Sequence, residues 1–150
     1  HRAPWECTFA REQRSRCLPG KKPRTDHEYF EVLSLCILQA GLSWASVRSS
    51  WPRYRRAFFN FEVAKLAHAA PAALLRRHGA LRNPKKVAAL VANAQEFERT
   101  REEHGTFRRY LRTVKSEKDA CAILQERFRH VGPYTAEFYL HCVGRSVYGS

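Results

Sequence analysis

The stretch from Thr25 to Trp44 constrains the fold most, because its middle is apolar around the whole circumference of the helix that it predicts. A helix at the surface keeps one polar face, so this pattern indicates a central helix that other helices surround. Thr25, with Glu28 three residues later, is typical of a capping box at the start of such a helix. We therefore expect the axis of the fold here.

The end of this stretch predicts a sharp corner between two helices. Gly41 supplies the left-handed residue that lets the first helix stop, and Ser43 is a suitable cap for the second. Leu42 and Trp44 then lie at a tight elbow. At such a corner they can belong to the core or be presented to a ligand.

The charge of the chain favours a polyanionic partner. Its 150 residues fit one domain, and 27 Lys and Arg against 14 Asp and Glu give a formal net charge of +13. Nucleic acid is the first candidate partner and an anionic membrane the second. No apolar run reaches the roughly 18 residues of a spanning helix, and no signal peptide is visible. We expect a soluble intracellular protein, in the cytoplasm or nucleoid.

The five cysteines are odd in number, far apart, and include no Cys-x-x-Cys pair. Free thiols in a reducing compartment are the expected state. The alternative is a scattered zinc site drawn from Cys7, Cys17, His27, His141 and Cys142.

Residues 1–24 are rich in Pro, Arg and Lys and show no sustained period, which predicts a basic N-terminal arm before a domain at 25–150. One or two helical turns are expected around 8–16, with Trp5 and Phe9 holding the arm to the body. The charges of the arm either face solvent or lie along a phosphate backbone.

The rest of the chain shows helical spacing and nothing that alternates with a period of two, which predicts an all-α fold. Pro52 is expected to divide the helix that starts at Ser43 from a short one that ends at Phe58. Further helices are predicted at 62–68, 71–78, 84 to about 104, 106–113, 116–129 and from Pro133 onward.

Two helix starts are candidate phosphate sites. The first site is the start of the helix that Pro84 opens, which is surrounded by Arg82, Lys85 and Lys86. Cations are unfavourable at the positive end of a helix dipole, so these side chains either face solvent or mark an anion site. The segment Val131-Gly-Pro-Tyr-Thr135 places the backbone N–H groups of Gly132, Tyr134 and Thr135 at the start of another helix, where they can bind a phosphate oxygen. With the net charge, this hairpin predicts a DNA-backbone clamp.

Four segments carry a resemblance to a known family: Phe30-Glu-Val-Leu33, Gln39-Ala-Gly-Leu-Ser-Trp44, Gly79-Ala-Leu-Arg-Asn-Pro-Lys-Lys-Val87 and Phe128-Arg-His-Val-Gly132. In content and spacing they resemble the DNA-3-methyladenine glycosylase I family of helix-hairpin-helix DNA glycosylases, over about residues 25–144. The resemblance implies a helix-hairpin-helix helical bundle. It also implies base-excision repair of alkylation damage, in which 3-methyladenine is removed from duplex DNA by cleavage of the base–sugar bond.

The resemblance also assigns residues. Leu42, with Gln39 and Gly41 beside it, matches the residue that fills the gap left by the extruded nucleotide, and Trp44 matches the aromatic wall of the base pocket. An enzyme that acts on a base needs such a wedge and such a surface. Because an N3-alkylated adenine is cationic, an electron-rich indole also attracts it.

The chain departs from the family pattern in its base pocket and in its hairpin. Cys36 stands where the family has a base-contacting Glu, and His130 replaces the first Gly of the usual hairpin turn. Other helix-hairpin-helix glycosylases place a catalytic Asp downstream of the hairpin, but here no Asp or Glu follows Glu137. We therefore assign no catalytic residue, and Cys36 is a base-pocket residue only. A non-catalytic DNA-binding protein is the alternative function.

The family's zinc site uses a Cys and a His near the N-terminus and a His and a Cys after the last helix, but Gly149 stands where that His would fall. The sequence thus predicts no metal and no cofactor, and a monomer that acts on alkylated double-stranded DNA. A zinc ion would require Cys7 or Cys17 with His141 or Cys142 in a new register.

Overall fold

The computed structural model describes residues 3–7 and 17–145, and over these ranges the only regular elements are helices. The α-helices are α1 (Asp26–Gln39), α2 (Trp44–Ala57), α3 (Val63–Ala67), α4 (Pro71–Leu75), α5 (Pro84–His104), α6 (Phe107–Thr113), α7 (Glu117–Arg127) and α8 (Pro133–Cys142). Short 3-10 turns lie at Pro4–Glu6 and Phe59–Phe61. The all-α prediction is confirmed. None of the helices in the described ranges has both the length and the apolar character needed to cross a bilayer.

Helix α1 is the enclosed element, as predicted. It contacts α2, α5, α6 and α8, and Phe30 on its axis is fully buried. The Phe30 ring meets Phe97 of α5 edge-on, with ring centroids 5.2 Å apart. The buried residues of α1 lie on every side of the helix: Tyr29, Phe30, Leu33, Ser34, Leu35, Cys36, Ile37 and Leu38.

Polar groups of α1 are bound by the helices that surround it. At its start, Asp26 accepts the backbone N–H groups of Phe107 and Arg108, at 2.9 and 3.1 Å, and so caps α6. In the same first turn, the carbonyl of Tyr29 accepts the buried hydroxyl of Tyr139 at 2.8 Å, which joins α8 to α1. The central helix therefore fixes the positions of α6 and α8 by hydrogen bonds as well as by packing.

Most of the predicted helix starts are present. Side-chain oxygens of Thr25, Ser43, Asn83, Thr106 and Ser116 each accept a first-turn backbone N–H. Only one of the two hydrogen bonds of the predicted capping box is present, that from the Glu28 N–H to the Thr25 hydroxyl. The Glu28 carboxylate accepts the N–H of Arg24 at 3.2 Å, one residue before the cap. The electrostatic benefit is similar, since the carboxylate still lies at the positive end of the helix.

The predicted break at Pro52 is wrong, because α2 runs through it to Ala57. A proline inside a helix removes the N–H that would bond to the carbonyl four residues earlier, here that of Arg48. Both residues are exposed, so water can replace the missing donor. Three helices also end earlier than predicted: α3 at Ala67, α4 at Leu75 and α7 at Arg127.

The described parts of the first 24 residues pack against the domain. Pro4 and Cys7 are buried, and Trp5 packs against the core. The backbone N–H of Gly20 donates to the carbonyl of His141 at 2.8 Å, which attaches this segment to the end of α8. The helical turns predicted at 8–16, with Phe9, lie outside the described residues.

Replacing Asp26 by Ala should lower the free energy of unfolding by about 1 to 2 kcal/mol, because two first-turn N–H groups of α6 lose their acceptor. Urea denaturation measures the change. Asp119 is an exposed acid in the first turn of α7, and Asp119→Ala is the matched control, with an expected change within about 0.5 kcal/mol. Equal losses in the two variants would show that the Asp26 contacts contribute nothing specific.

Candidate functional site

The elbow after α1 presents Leu42 to solvent. Gly41 has φ of +83°, as predicted for the residue that ends the helix. The backbone N–H of Leu42 donates to the carbonyl of Gln39 at 2.7 Å, and the Gln39 side-chain amide donates to the carbonyl of Leu42 at 2.8 Å. Leu42 is 36% exposed. Of the two places open to it, the structure favours presentation to a ligand over burial in the core.

Lys86 holds the end of α1 from the other side. Its ammonium donates to the carbonyl of Leu38 at 2.9 Å and also to that of Ala40. Burial lowers the pKa of Lys86. These contacts argue against the predicted phosphate contact of Lys86. Arg82 and Lys85, its predicted companions, are exposed, and their assignment stays a prediction.

A cavity of about 250 Å³ lies between the elbow and the start of α8. Its volume is just below the range of about 300–1,000 Å³ typical of small-molecule sites, which suits a ligand the size of one base. The fold thus brings together two candidate regions that are far apart in the sequence. Residues from both line the cavity: Cys36, Gln39, Ala40, Gly41, Tyr134, Thr135 and Phe138.

Three aromatic rings form a row along one side of the cavity. Trp44 is half-buried, and its ring centroid lies 5.7 Å from that of Phe138 at an angle of 30°. Phe138 in turn stacks on Tyr134, at 6.0 Å and 14°. Phe138 and Tyr134 line the cavity, whereas Trp44, which was predicted to form its wall, contacts Phe138 and is not among the lining residues. The position of these two rings was not predicted from the sequence, although their spacing of four residues places them on one face of α8.

Cys36 occupies the wall of the cavity as a buried thiol. The interaction with the Cys36 thiol and the burial of the site hold the pKa of Cys142 well above its usual range. Among the described residues that line the cavity there is no carboxylate. The lining residues therefore carry thiol, hydroxyl and amide groups but no ionised acceptor for a ligand.

The turn between α7 and α8 leaves the start of α8 open. His130 has φ of +60°, in the left-handed region where a glycine was expected. Val131 is buried, which anchors the turn to the core. Gly132 provides no side-chain cap for α8, and a Cβ built on it would meet nothing within 4 Å. A ligand can therefore approach this helix start closely.

Asn93 of α5 fixes this turn, a role that the sequence analysis missed. Its side-chain oxygen accepts the N–H of Arg129 at 2.8 Å, and its amide donates to the carbonyl of the same residue at 3.3 Å. Asn93 is buried. The available signal was a lone amide within the apolar stripe of α5, because a buried amide must find hydrogen-bond partners.

A third group of side chains lies near the far end of α8. The ligand atoms of Cys7, Cys17 and His141 are within 4.8 Å of one another, and the two sulfur atoms are 3.6 Å apart. His27, the other candidate ligand, lies elsewhere, with Nε2 2.8 Å from the carbonyl oxygen of Asn60.

Solved structures identify the class of fold. The chain is similar to a crystal structure of 3-methyladenine DNA glycosylase I, with a TM-score of 0.73 and 20% identity, over 85% of this chain and 83% of that one. It is similar to the Staphylococcus aureus 3-methyladenine DNA glycosylase I, with a TM-score of 0.72 and 22% identity, over 85% and 80%. These matches define an all-helical DNA glycosylase fold.

The family follows from the sequence match. Residues 20–132 match the family model described as methyladenine glycosylase, and the chain belongs to this family. It is also similar to the DNA-3-methyladenine glycosylase of Haemophilus influenzae (strain ATCC 51907 / DSM 11121 / KW20 / Rd), at 33% identity over 81 residues. That match covers 52% of this chain and 44% of the relative, so it spans less than half of the relative's length.

Replacing Lys86 by Met should lower the free energy of unfolding by about 1 to 2 kcal/mol, because the end of α1 loses a charged hydrogen-bond donor while the aliphatic stem is kept. Lys85→Met is the matched control, since Lys85 is exposed and its change should stay within about 0.5 kcal/mol. Thermal and urea unfolding measure both. A destabilised Lys85 variant beside an unchanged Lys86 variant would contradict this assignment.

Proposed function

We propose that the protein is a monofunctional DNA glycosylase that removes alkylated, cationic purines such as 3-methyladenine from duplex DNA. One observation carries the proposal: in a member of the methyladenine glycosylase family, an exposed Leu42 lies at the elbow beside a cavity the size of a base. A base must leave the helical stack before its glycosidic bond can be reached, so a wedge and a receiving cavity belong together. We further propose that the protein acts as a monomer inside the cell.

Leu42 fills the space that the extruded nucleotide leaves. Its backbone is held at both its N–H and its carbonyl by Gln39, so its side chain is already positioned before DNA binds. A rigid apolar wedge reduces the cost of unstacking, which is a few kcal/mol per step. Gln39 therefore acts as a positioning residue for Leu42.

The aromatic row receives the base. Tyr134 and Phe138 line the cavity, and Trp44 supports Phe138 from behind. A cationic purine is attracted to such electron-rich rings by about 0.5 to 2 kcal/mol beyond ordinary packing. Its positive charge already weakens the bond to the sugar, so the base leaves as a neutral molecule with the bonding electron pair. Water then supplies the hydroxyl group to the sugar carbon and releases its remaining proton to the solvent.

Cys36 limits the reaction to labile substrates. The resemblance assigns a carboxylate to this position, and a hydrogen bond to a charged group contributes about 1.5 to 3 kcal/mol. A thiol replaces little of that contribution. We therefore expect weak activity, confined to adducts whose charge makes the glycosidic bond labile.

Phosphate contacts hold the duplex against this site. At the open start of α8, beside Gly132, backbone N–H groups donate hydrogen bonds to a phosphate oxygen, as expected for a helix-hairpin-helix. Arg82 and Lys85 add exposed positive charge. Binding of this kind varies little with base sequence and weakens steeply with salt.

A non-catalytic DNA-binding protein is the second candidate function. The observation that favours it is the same buried thiol at position 36, in a cavity lined by no acidic residue among those described. The scaffold and the wedge would then serve to recognise distorted DNA without excision.

Release of methylated bases from alkylated genomic DNA, measured by mass spectrometry, tests the proposal. We expect slow release of 3-methyladenine by the wild type, at least tenfold slower release by Leu42→Ala, corresponding to about 1.4 kcal/mol, and none by Trp44→Ala. Leu18→Ala is the matched control, because Leu18 is another exposed leucine, at 80%.

Cys36→Glu should raise the rate unless the buried charge destabilises the fold. If neither the wild type nor a folded Cys36→Glu releases a base while both bind DNA, the second candidate function holds.

Replacing Gly132 by Val should weaken binding to damaged and undamaged DNA alike by roughly tenfold, or about 1.4 kcal/mol. The fold should tolerate the change, because the position has φ of −89° and the space around it is open. Fluorescence anisotropy at two salt concentrations gives the affinities, and Ala72→Val on exposed α4 is the control. If the Gly132 variant is folded and binds DNA as tightly as the wild type, the start of α8 is not part of the DNA interface.

A further inference from the structure

We propose that a cationic pocket at the other end of α1 from the elbow binds a small phosphate anion, inorganic phosphate or pyrophosphate. The pocket has a volume of about 230 Å³ and lies between the start of α1, the ends of α6 and α8, and the segment before α1. Tyr29 lines this pocket and Gln39 lines the base cavity, so roughly 15 Å of α1 separates the two. The proposal does not depend on the glycosylase function.

The lining of the pocket carries positive charge and no negative charge. None of the described residues that line it is acidic, whereas a large share of them are cationic: Lys22, Arg108, Arg112, Lys115 and Arg145. Like charges around one small volume repel one another, and a protein surface screens that repulsion less than bulk water does. An anion in the pocket removes the repulsion.

Two acids near the pocket are already bound by other groups. The Glu117 carboxylate accepts the Nε–H of Arg145 at 2.9 Å. The Asp26 carboxylate accepts the backbone N–H groups of Phe107 and Arg108. Neither acid lines the pocket, so the charges of the remaining cations are available to a ligand.

Several donors of the cationic side chains have no acceptor in the described part of the chain. The Nε of Arg108 is buried and lacks a hydrogen-bond partner there, although a buried donor is normally paired. Lys22, Arg112 and Lys115 are exposed, and within the same ranges their side chains form no hydrogen bond or ion pair. These groups can therefore turn toward an anion without breaking a contact.

The frame of the pocket is fixed before a ligand binds. Arg145 donates to the carbonyls of Leu111 and Val114 at 3.0 and 2.7 Å, which holds the end of α6 against the end of α8. A Cβ built on Gly144 would lie only 3.2 Å from the backbone nitrogen of Lys22, so the segment before α1 packs closely on the end of α8. A frame of this kind lowers the entropic cost of binding.

The arginines and the volume indicate the class of ligand. Burial raises the pKa of Tyr29, and the charges of Arg108, Arg112 and Arg145 offset part of that rise, so three guanidinium groups act on one point of the lining. A guanidinium group matches two oxygens of a phosphate. The volume is below the range of about 300–1,000 Å³ typical of larger ligands, which favours phosphate or pyrophosphate over a whole nucleotide.

Isothermal titration calorimetry of the full chain with pyrophosphate tests the proposal, with sodium chloride at equal ionic strength as the blank. We expect binding that saturates at one pyrophosphate per chain, with a dissociation constant below about 1 mM. Inorganic phosphate should compete for the same site with lower affinity, because it carries fewer charges. Pyrophosphate should also raise the melting temperature, because it binds only the folded state.

Two matched pairs of variants locate the binding site. Arg112 and Arg109 are both exposed on α6, but only Arg112 lines the pocket. Lys22 and Lys21 are exposed neighbours, of which only Lys22 lines it. Arg112→Gln and Lys22→Gln should each weaken pyrophosphate binding by about tenfold. Arg109→Gln and Lys21→Gln remove the same charge and should change the affinity by less than about twofold, because salt screens a charge outside the pocket.

The calorimetry overturns the proposal if the wild type shows no saturable binding beyond the chloride blank. Equal losses of affinity in the two members of each pair would also overturn it, because the effect would then come from the net charge.

A short DNA duplex, titrated into the wild type and Arg112→Gln, separates a small anion from the DNA backbone as the ligand. We expect the affinity for the duplex to change by less than about twofold. If Arg112→Gln weakens duplex binding as much as it weakens pyrophosphate binding, the pocket belongs to the DNA interface and the proposal is wrong.

Discussion

The enclosure of α1 is the constraint on which the rest of the structure depends. A helix that other helices surround must satisfy its polar groups with protein partners, because water is excluded. Asp26 does so by capping α6, and the Tyr29 carbonyl by accepting the hydroxyl of Tyr139. At the other end, Lys86 binds the last carbonyls. The elbow lies where this enclosure stops, and it is therefore the place where an apolar side chain such as Leu42 can be presented to a partner.

Under the proposed function, the cavity must receive a cationic base without a carboxylate. The net charge of +13 would attract DNA but repel a cationic ligand. Attraction to aromatic rings, about 0.5 to 2 kcal/mol, is smaller than the 1.5 to 3 kcal/mol typical of a hydrogen bond to a charged group. Tyr134 and Phe138 thus compensate only in part for Cys36. Under the proposed function, the cavity would therefore favour substrates whose own charge has already lowered the barrier to bond cleavage.

Local features of the fold were predictable from the sequence and long-range contacts were not. The burial of α1, the caps at Ser43 and Asn83 and the left-handed Gly41 each depend on a few neighbouring residues, and the structure has all of them. The prediction of a helix break at Pro52 was wrong, because water can donate to the exposed carbonyl that Pro52 leaves without an N–H partner. Three other features join residues at least 36 positions apart. They are the Lys86 contacts, the hydrogen bonds between Asn93 and Arg129, and the grouping of His141 with two thiols. No periodicity or spacing within one helix indicates such contacts.

Helix α8 carries part of the cavity wall near its start and the Cys7, Cys17 and His141 group near its end. Its 10 residues form a rod of roughly 15 Å, with Gly132 and Tyr134 at one end and His141 at the other. Asn93 fixes the turn before it, Tyr139 fixes its middle on α1, and the segment around Gly20 fixes its end. Because the hydrogen-bonded backbone of a helix keeps its two ends in a fixed relation, these attachments also position the end that carries the cavity wall and the proposed phosphate contact. The three attachments therefore set the geometry of the base cavity from positions that a DNA ligand need not touch.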